Sequence, residues 1–284
     1  MSLLAVAGFA AADFSKADSL FEAEDYAACG KVLESMLPQA GSNADKAGVL
    51  WRLARLCVVT GQAETTKDGK KTAFDKGIAY AQEAIDADPS NRWCYMWHCA
   101  NVGRACQLLP LMEQAAAVPT MTGDLSTILD RLGKTSCSEA WQALAEIYFN
   151  HPFKSNDSAI NFTRKAVMTI PAGEIRVATY GLLAEKLYDR NWSASRRSAE
   201  AAANADKFKR KGKSNIEKFS YFDGSLGADH VPAWSDTPLG SLSDRQEAAL
   251  LLDYALNLYR KSGSRSSIEA ADYATFKALR ESWK

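Results

Sequence analysis

A helical repeat of about 34 residues constrains the fold of this chain more than any other sequence feature. Its clearest copy has the pattern WxxLAxxY over residues 141–148, followed by AxxFxxxAxxxxP over 159–171. A second copy ends in AxxAIxADP over 81–89. A helical pair of this size cannot bury its own apolar face, so neighbouring pairs must stack. The repeat therefore predicts an all-α, right-handed α-solenoid of about five helical hairpins with a C-terminal capping pair of helices.

The boundaries follow from where this pattern starts, is interrupted and ends. The solenoid is expected over 13–206, a long loop or docked segment over 207–242, and the helical cap over 243–284. In the second hairpin, Gly61 is expected to end the first helix before a polar insertion at 62–73. Pro110 and Pro119 predict an irregular segment over 108–122. The fifth hairpin is expected to pair 180–188 with 192–205.

Composition argues against several classes of function. The chain has 34 basic and 34 acidic residues, so net charge does not favour binding to nucleic acid. No apolar run reaches the roughly 18–20 residues needed to span a bilayer. No nucleophile elbow, P-loop, dinucleotide fingerprint or zincin motif is present. We therefore expect a protein that is not an enzyme, has no cofactor, and has no transmembrane segment.

Cysteine and histidine residues do not show the spacing of a metal site. Cys94, His98 and Cys99 share one predicted helix, but a histidine packed in the core explains them as well, so we predict no metal. The six cysteines lie on or beside predicted helices, where free cysteine behaves as a small buried apolar residue. The basic run 207–213 is expected to be the solvated end of a helix.

Residues 1–12 resemble a truncated signal peptide. An apolar stretch over 3–12 ends in Ala10-x-Ala12, which is similar to a cleavage signature, but a basic segment before it is missing. Periplasmic export is the first expectation. A cytoplasmic protein whose first helix begins with an alanine-rich stretch is the alternative.

The alanines and aromatic residues of these copies are those of the tetratricopeptide (TPR) repeat. The segments LWRLAR at 50–55, AYAxxAI at 79–85 and WxxANVG at 97–103 resemble more closely the TPR domain of the regulator of microtubule dynamics family, especially its bacterial members. The likeness covers roughly residues 44–206. The carboxyl end departs from the family pattern, and we infer no microtubule role from the resemblance.

The first helix of each hairpin lines the concave surface in a TPR array, which places the candidate site. Five residues on or near such helices are the candidates for partner binding: Arg52, Arg55, Trp97, Asn101 and Arg104. Arg55 and Asn101 are polar among apolar neighbours, so either a bound partner or an internal hydrogen bond must offset their burial.

Three functions remain open from sequence. The first is a scaffold that binds a protein or peptide partner in its concave groove. The second is a small-molecule or lipid-binding accessory of a bacterial envelope transport system, with Tyr95 and Trp97 lining a cavity under the 108–122 segment. The third is a homo-oligomer that docks through Trp283 or through 242–259. An open polar groove favours the first, and a closed apolar cavity favours the second.

Overall fold

The structure is a computed structural model that describes residues 12–150, 154–210, 212, 214–221, 231–262 and 266–283. Within these ranges every regular element is a helix. The helices form two compact units, Met1–Thr127 (unit 1) and Ile128–Lys284 (unit 2). Most of them pack in pairs that are consecutive or nearly so along the chain, so the predicted all-α solenoid class is confirmed. None of the described helices is both long and apolar enough to cross a bilayer.

Unit 1 is built from three helical pairs. Its helices are α1 (Ser15–Glu22), α2 (Tyr26–Met36), α3 (Asn43–Ala63), α4 (Lys67–Ala87), α5 (Arg92–Cys106), α6 (Leu111–Gln114) and α7 (Val118–Ser126). The pairs are α1 with α2, α3 with α4, and α5 with α7, and α4 also packs on α5. The segment predicted to be irregular is a series of short helical pieces, and Pro119 stands in the first turn of α7.

The expected end of a helix at Gly61 is wrong. Helix α3 runs on to Ala63, and most of the predicted insertion forms the first turns of α4, which begins after the N-cap Thr66. The Thr66 hydroxyl accepts a hydrogen bond from the Gly69 amide at 3.0 Å. Gly61 serves close packing instead, because a Cβ there would lie 2.6 Å from the Phe74 ring. The cost of about 1 kcal/mol for a glycine inside a helix is offset by that contact.

Small and aromatic side chains fill the core of unit 1, as the repeat predicts. Trp51 stacks on Trp93, and Ala47, Ala84 and Cys94 pack around them with no or almost no exposure. All six cysteines of the chain are buried free thiols. Burial raises the pKa of Cys94 to about 12, so this thiol is an apolar packing group rather than a nucleophile.

Unit 2 holds the clearest TPR pair together with the C-terminal helices. Its helices are α8 (Ser138–Asn150), α9 (Asn156–Met168), α10 (Val177–Arg190), α11 (Ala194–Arg210), α12 (Asn215–Phe219), α13 (Asp244–Lys261) and α14 (Ser267–Ser282). The segment 207–242 thus contains the end of α11, the short helix α12 and a 3₁₀ turn at Leu239–Ser241. The capping box expected at Ser243 is present at the start of α13.

The predicted fifth hairpin is wrong in its second helix, because α10 pairs with α13 rather than with α11. Leu183 and Leu187 on α10 share a buried cluster with Leu251 and Leu252 on α13. Helix α11 contributes only one buried residue, Arg197. Burial of apolar surface favours the pairing at roughly 25 cal/mol per Å², so the helix with the apolar stripe takes the position next to α10.

Helices α13 and α14 both pack on α10, as a cap would. The Trp283 ring stacks on Tyr188 with ring centroids 4.2 Å apart and almost parallel planes. The predicted signal peptide lies outside the described residues except for Ala12. Periplasmic export stays a prediction.

Candidate functional site

Two of the predicted partner-binding residues, Arg52 and Arg55 on α3, are held by one carboxylate on α1. Arg52 Nη2 lies 2.7 Å from Asp18 Oδ2, and Arg55 Nη2 lies 2.8 Å from Asp18 Oδ1. Both guanidinium groups also stack on aromatic rings, 3.9 Å from the Phe14 centroid and 3.7 Å from the Phe21 centroid. The two arginines therefore fasten α1 to α3.

Asp18 was not identified from the sequence, although a signal for it exists. It lies 34 residues before Arg52, which is one repeat length. Burial acts to raise the pKa of Asp18, but hydrogen bonds and charge attraction from Arg52 and Arg55 outweigh it and leave that pKa lowered. Asp18 and the two arginines lie on the first helices of adjacent predicted hairpins. That spacing in the sequence would have indicated an ion pair between them.

Asn101 is fully buried and joins neighbouring helices. Its Nδ2 donates to the carbonyl oxygen of Ala54 at 3.0 Å and to that of Trp97 at 2.8 Å. Its Oδ1 stands over Gly77, where an added Cβ would lie only 2.1 Å away. Asn101 thus bridges α3, α4 and α5.

Trp97 and Arg104 are the partly exposed members of the predicted set on α5. The Trp97 indole nitrogen is buried without a hydrogen-bond partner in the described structure. Arg104 Nη1 contacts Gln107 Oε1 at 3.1 Å on the surface. The structure thus brings Arg52 and Arg55 together at Asp18, and Trp97 together with Asn101, while Arg104 is solvated. Partner binding by the five stays a prediction.

A buried His98–Asp124 pair connects α5 to α7. His98 Nδ1 lies 2.7 Å from Asp124 Oδ2, and each side chain is 11% exposed. Burial raises the pKa of Asp124, and the hydrogen bond from His98 only partly offsets that rise. His98 is therefore buried in the core, as expected. Its buried partner, Asp124, was not predicted from the sequence.

Unit 2 has a groove of about 890 Å³ between α9 and α11, which we call the α9–α11 groove. It exists because α13 occupies the position next to α10, so α11 makes its substantial contacts with α12 and the 3₁₀ turn. Four of the α11 residues that line the groove have small side chains. Larger side chains also line it, among them Lys207, Phe208, Trp192, Phe219 and Tyr221. The small residues of α11 that line the groove are Ser198, Ala201, Ala202 and Ala205.

Buried ion pairs form the floor of the α9–α11 groove. Arg164 Nη2 and Arg197 Nη2 each lie 2.6 Å from Glu247 Oε2, and Glu247 is completely buried. Arg190 Nε lies 2.8 Å from Asp244 Oδ2, which is also completely buried. Desolvation acts to raise the pKa of Glu247, but Arg164 and Arg197 outweigh it and hold that pKa below its ordinary value. The network ties α13 to α9, α10 and α11.

Helix α11 is anchored near both ends, so its middle stands over the groove. Arg197 holds the first turns through the buried network. In the last turns, Phe208 packs edge-on against Phe219 of α12, with centroids 5.4 Å apart. Helix α12 is fixed in turn, because Asn215 Nδ2 donates to the Leu129 carbonyl at 2.7 Å and Asn161 Nδ2 donates to the Ser220 carbonyl at 2.8 Å.

The groove was missed from the sequence for a definite reason. Arg164 and Glu247 are 83 residues apart, and Arg197 and Glu247 are 50 apart, so no local pattern connects them. One signal was available in the sequence. Arg164 follows Phe162 on a repeat helix, and an arginine among apolar positions indicates a buried acidic partner. The basic run 207–213 was predicted to be the solvated end of a helix. Its described lysines, Lys207 and Lys209, belong to α11 and line the groove. Among the described residues, no cluster of three or more acidic, histidine or cysteine side chains could hold a metal ion.

The fold defines a helical-repeat protein, a class whose open surfaces between stacked helices are candidate sites. Residues 13–119 match the family model of regulator of microtubule dynamics protein 1-3, so the resemblance to that family is confirmed. The match begins and ends earlier in the chain than the expected 44–206. No curated protein matches the chain. The α9–α11 groove lies outside the matched residues, so the family match implies nothing about its ligand.

Proposed function

We propose that this chain is a non-enzymatic helical scaffold that binds a segment of a protein partner in the α9–α11 groove. The observation that carries the proposal is the groove itself, about 890 Å³ beneath a helix that is anchored near both ends. Ser198, Ala201, Ala202 and Ala205 on its α11 wall are small, which lets the backbone of a bound segment approach closely there. A helical or extended segment placed between two helices is a recurring mode of peptide recognition.

The shape and lining of the groove support a peptide over a lipid or small apolar ligand. The groove is open, and its walls combine charged and polar side chains from α9 and α11 with apolar ones. The apolar cavity of the rival function would have to be lined by Tyr95 and Trp97. Tyr95 is instead buried, and its hydroxyl donates to the Pro89 carbonyl at 3.2 Å.

A second partner surface on unit 1 is supported by a separate observation. The Trp97 indole nitrogen and Arg55 Nε are both buried without a hydrogen-bond partner in the described structure. A backbone carbonyl of a bound peptide would satisfy such a donor, which costs roughly 1–3 kcal/mol when it is left unpaired. This keeps the surface around Arg52, Arg55, Trp97, Asn101 and Arg104 as a second candidate.

Neighbouring alanines on α11 provide a matched test of the groove. Ala202 lines the groove and Ala203 does not, yet both are exposed on the same helix. A photocrosslinking amino acid at Ala202 is expected to capture a defined partner in cells, whereas the same group at Ala203 is not. With that partner purified, Ala202→Trp is expected to weaken binding at least tenfold by filling the groove, and Ala203→Trp less than twofold.

Both tryptophan variants must first show unchanged helicity and melting temperature. Equal binding of the partner to the two variants would contradict the groove as its site. A small molecule that co-purifies with the wild-type protein and is lost from Ala202→Trp would instead support the small-ligand function.

A further inference from the structure

We infer that a second opening of unit 2 binds a small neutral carbonyl compound, whose oxygen accepts a hydrogen bond from the Tyr180 hydroxyl. The opening lies between the α9–α10 loop (residues 169–176) and the carboxyl half of α13, and we call it the tyrosine pocket. Its volume of about 390 Å³ is near the lower end of the range of roughly 300–1,000 Å³ found for small-ligand sites. The tyrosine pocket shares no lining residue with the α9–α11 groove, so the inference does not depend on the function proposed for that groove.

The α9–α10 loop forms one wall of the tyrosine pocket and is held in a fixed shape. The Glu174 amide donates to the Pro171 carbonyl at 3.1 Å, which closes a β-turn, and Gly173 has a φ of +89°. A type II turn requires this left-handed backbone at its third position, where glycine is favoured. Arg176 fastens the turn to α8, because its guanidinium lies 2.9 Å from Glu174 Oε2 and 2.7 Å from Glu139 Oε1. The wall is therefore in place before a ligand binds, as is usual for small-molecule sites.

Tyr180 is a buried polar side chain in the lining of the tyrosine pocket. It is 8% exposed, and its ring packs against those of Trp234 and Tyr254, with centroids 6.4 and 5.7 Å away. Within the part of the chain that the structure describes, neither the Tyr180 nor the Tyr254 hydroxyl has a hydrogen-bond partner. An unpaired buried hydroxyl costs roughly 1–3 kcal/mol, so an acceptor atom in the pocket would be bound favourably.

The chemistry of the lining selects a neutral ligand with an apolar body. Burial, with a smaller contribution from Tyr254, raises the pKa of Tyr180 to about 12, so at neutral pH this hydroxyl keeps its proton and can donate it to a carbonyl oxygen. Ile175 and Leu258 line the same pocket and offer no group that could solvate a charge. Lys261 also lines it, but this side chain is exposed, so water competes for its charge.

The test uses three probes that carry different substituents at the same position of a naphthalene ring. Acetylnaphthalene has a carbonyl, isopropenylnaphthalene has nearly the same shape without an acceptor oxygen, and naphthoate has a charge. Equilibrium dialysis against the whole chain measures the three dissociation constants. We expect the ketone to bind at least about fivefold more tightly than the hydrocarbon, which is the contribution of one neutral hydrogen bond, and more tightly than naphthoate.

Two tyrosines on α10 provide matched variants. Tyr180 lines the pocket, whereas Tyr188 does not and stacks on Trp283. Tyr180→Phe removes only the hydroxyl, so we expect this variant to bind the ketone and the hydrocarbon equally. Its melting temperature is expected to stay the same or to rise, because an unpaired buried hydroxyl is lost. Tyr188→Phe is expected to keep the preference of the wild-type protein for the ketone.

Several outcomes would overturn the inference. A preference for the ketone that survives in Tyr180→Phe would show that another group donates the hydrogen bond. A lower melting temperature of Tyr180→Phe would show that its hydroxyl is already paired within the protein. Equal binding of ketone and hydrocarbon to the wild-type protein, tighter binding of naphthoate, or no binding of any probe would also contradict a site for neutral carbonyl compounds.

Ala202→Trp separates the tyrosine pocket from the α9–α11 groove. Ala202 lines the groove and not the pocket, so this variant is expected to bind the ketone as the wild-type protein does. Loss of the ketone in Ala202→Trp would place the probe in the groove and overturn the tyrosine pocket as its site. Failure of the probes to bind in the tyrosine pocket would leave the proposed function of the groove unchanged.

Discussion

At the scale of single residues, buried charge decides how unit 2 is held together. Glu247 has no exposed surface and contacts two guanidinium groups that are themselves almost completely buried. The Coulombic gain of such a group is largely offset by desolvation, so the network adds little net stability. Removing one partner is a different matter, because it leaves the other charges buried without compensation. The network therefore favours the one arrangement of α9, α11 and α13 in which all of its buried charges are paired.

This asymmetry gives a prediction for Glu247→Gln. The substitution keeps the shape but removes the charge between Arg164 and Arg197, and we expect the free energy of unfolding to fall by about 3–5 kcal/mol. Asp253→Asn on the same helix is the control. Asp253 is half-exposed, and its pair with Arg280 at 2.9 Å is expected to contribute at most about 1 kcal/mol. Urea unfolding of the variants measures both values, and equal losses would show that the buried network has no special role.

At the scale of helices, the contacts between elements depend on a few small residues. Gly77 on α4 leaves the space that the side chain of Asn101 on α5 occupies. In return, Asn101 donates to the carbonyl oxygen of Ala54 on α3. One glycine thus allows three helices to be joined by one buried amide. The sequence placed Gly77 and Asn101 on helices of adjacent hairpins, but the contact between them depends on the rotation of each helix.

We expect Gly77→Ala to destabilise the protein by about 1–3 kcal/mol, since the new Cβ overlaps Asn101 Oδ1. Gly123→Ala on α7 is the matched control, because nothing lies within 4 Å of the new Cβ. That change is expected to stabilise by about 0.5–1 kcal/mol through helix propensity alone. Thermal unfolding compares the two variants.

A double-mutant cycle with Asn101→Ala tests the cause of the loss in Gly77→Ala. If the Asn101 side chain is the obstacle, the two substitutions together will cost less than the sum of their separate effects. Additive losses would place the strain elsewhere.

At the scale of the whole molecule, a completely buried carboxylate of unit 2, Glu247, makes this unit sensitive to acid. In unit 2 the lowered pKa of Glu247 means that its stabilising contribution is complete above its unfolded value of 4.5 and is lost as the pH falls through the lower folded pKa. In unit 1, the pKa of Asp18 is also lowered, so its stabilising contribution is also lost in acid, but this side chain is partly exposed. Asp124 behaves in the opposite direction, because its raised folded pKa makes acid protonation favour the folded state.

We therefore expect unit 2 to lose structure before unit 1 as the pH falls below about 4.5. Hydrogen–deuterium exchange after brief acid exposure, read peptide by peptide, should show early loss of protection in α9, α11 and α13. In Glu247→Gln, the acid-dependent part of that loss is expected to disappear. Earlier unfolding of unit 1 would show that Asp18 outweighs the buried network.

The sequence predicted the local features of the fold well and the distant pairings poorly. The capping box at Ser243 and the hairpin of α8 with α9 follow from residues a few positions apart, so a single chain reveals them. The prediction that a helix ends at Gly61 was wrong, because the sequence pattern of a glycine is the same in both cases. It can end a helix, or it can leave space for a neighbouring ring, here that of Phe74. Of the five residues predicted to bind a partner, Arg52, Arg55 and Asn101 also have internal contacts that the sequence left open.

By itself, the sequence determined most of the helical segments, because periodicity, capping and proline positions act within one or two turns. It also determined that hairpins must stack, because no single pair can bury its apolar face. Only the tertiary structure decided that α13, and not α11, packs on α10. That choice depends on which apolar stripe buries more surface against Leu183 and Leu187, across more than 50 residues of intervening chain. The same choice leaves α11 standing over α9, so the groove is a consequence of long-range packing that no local pattern contains.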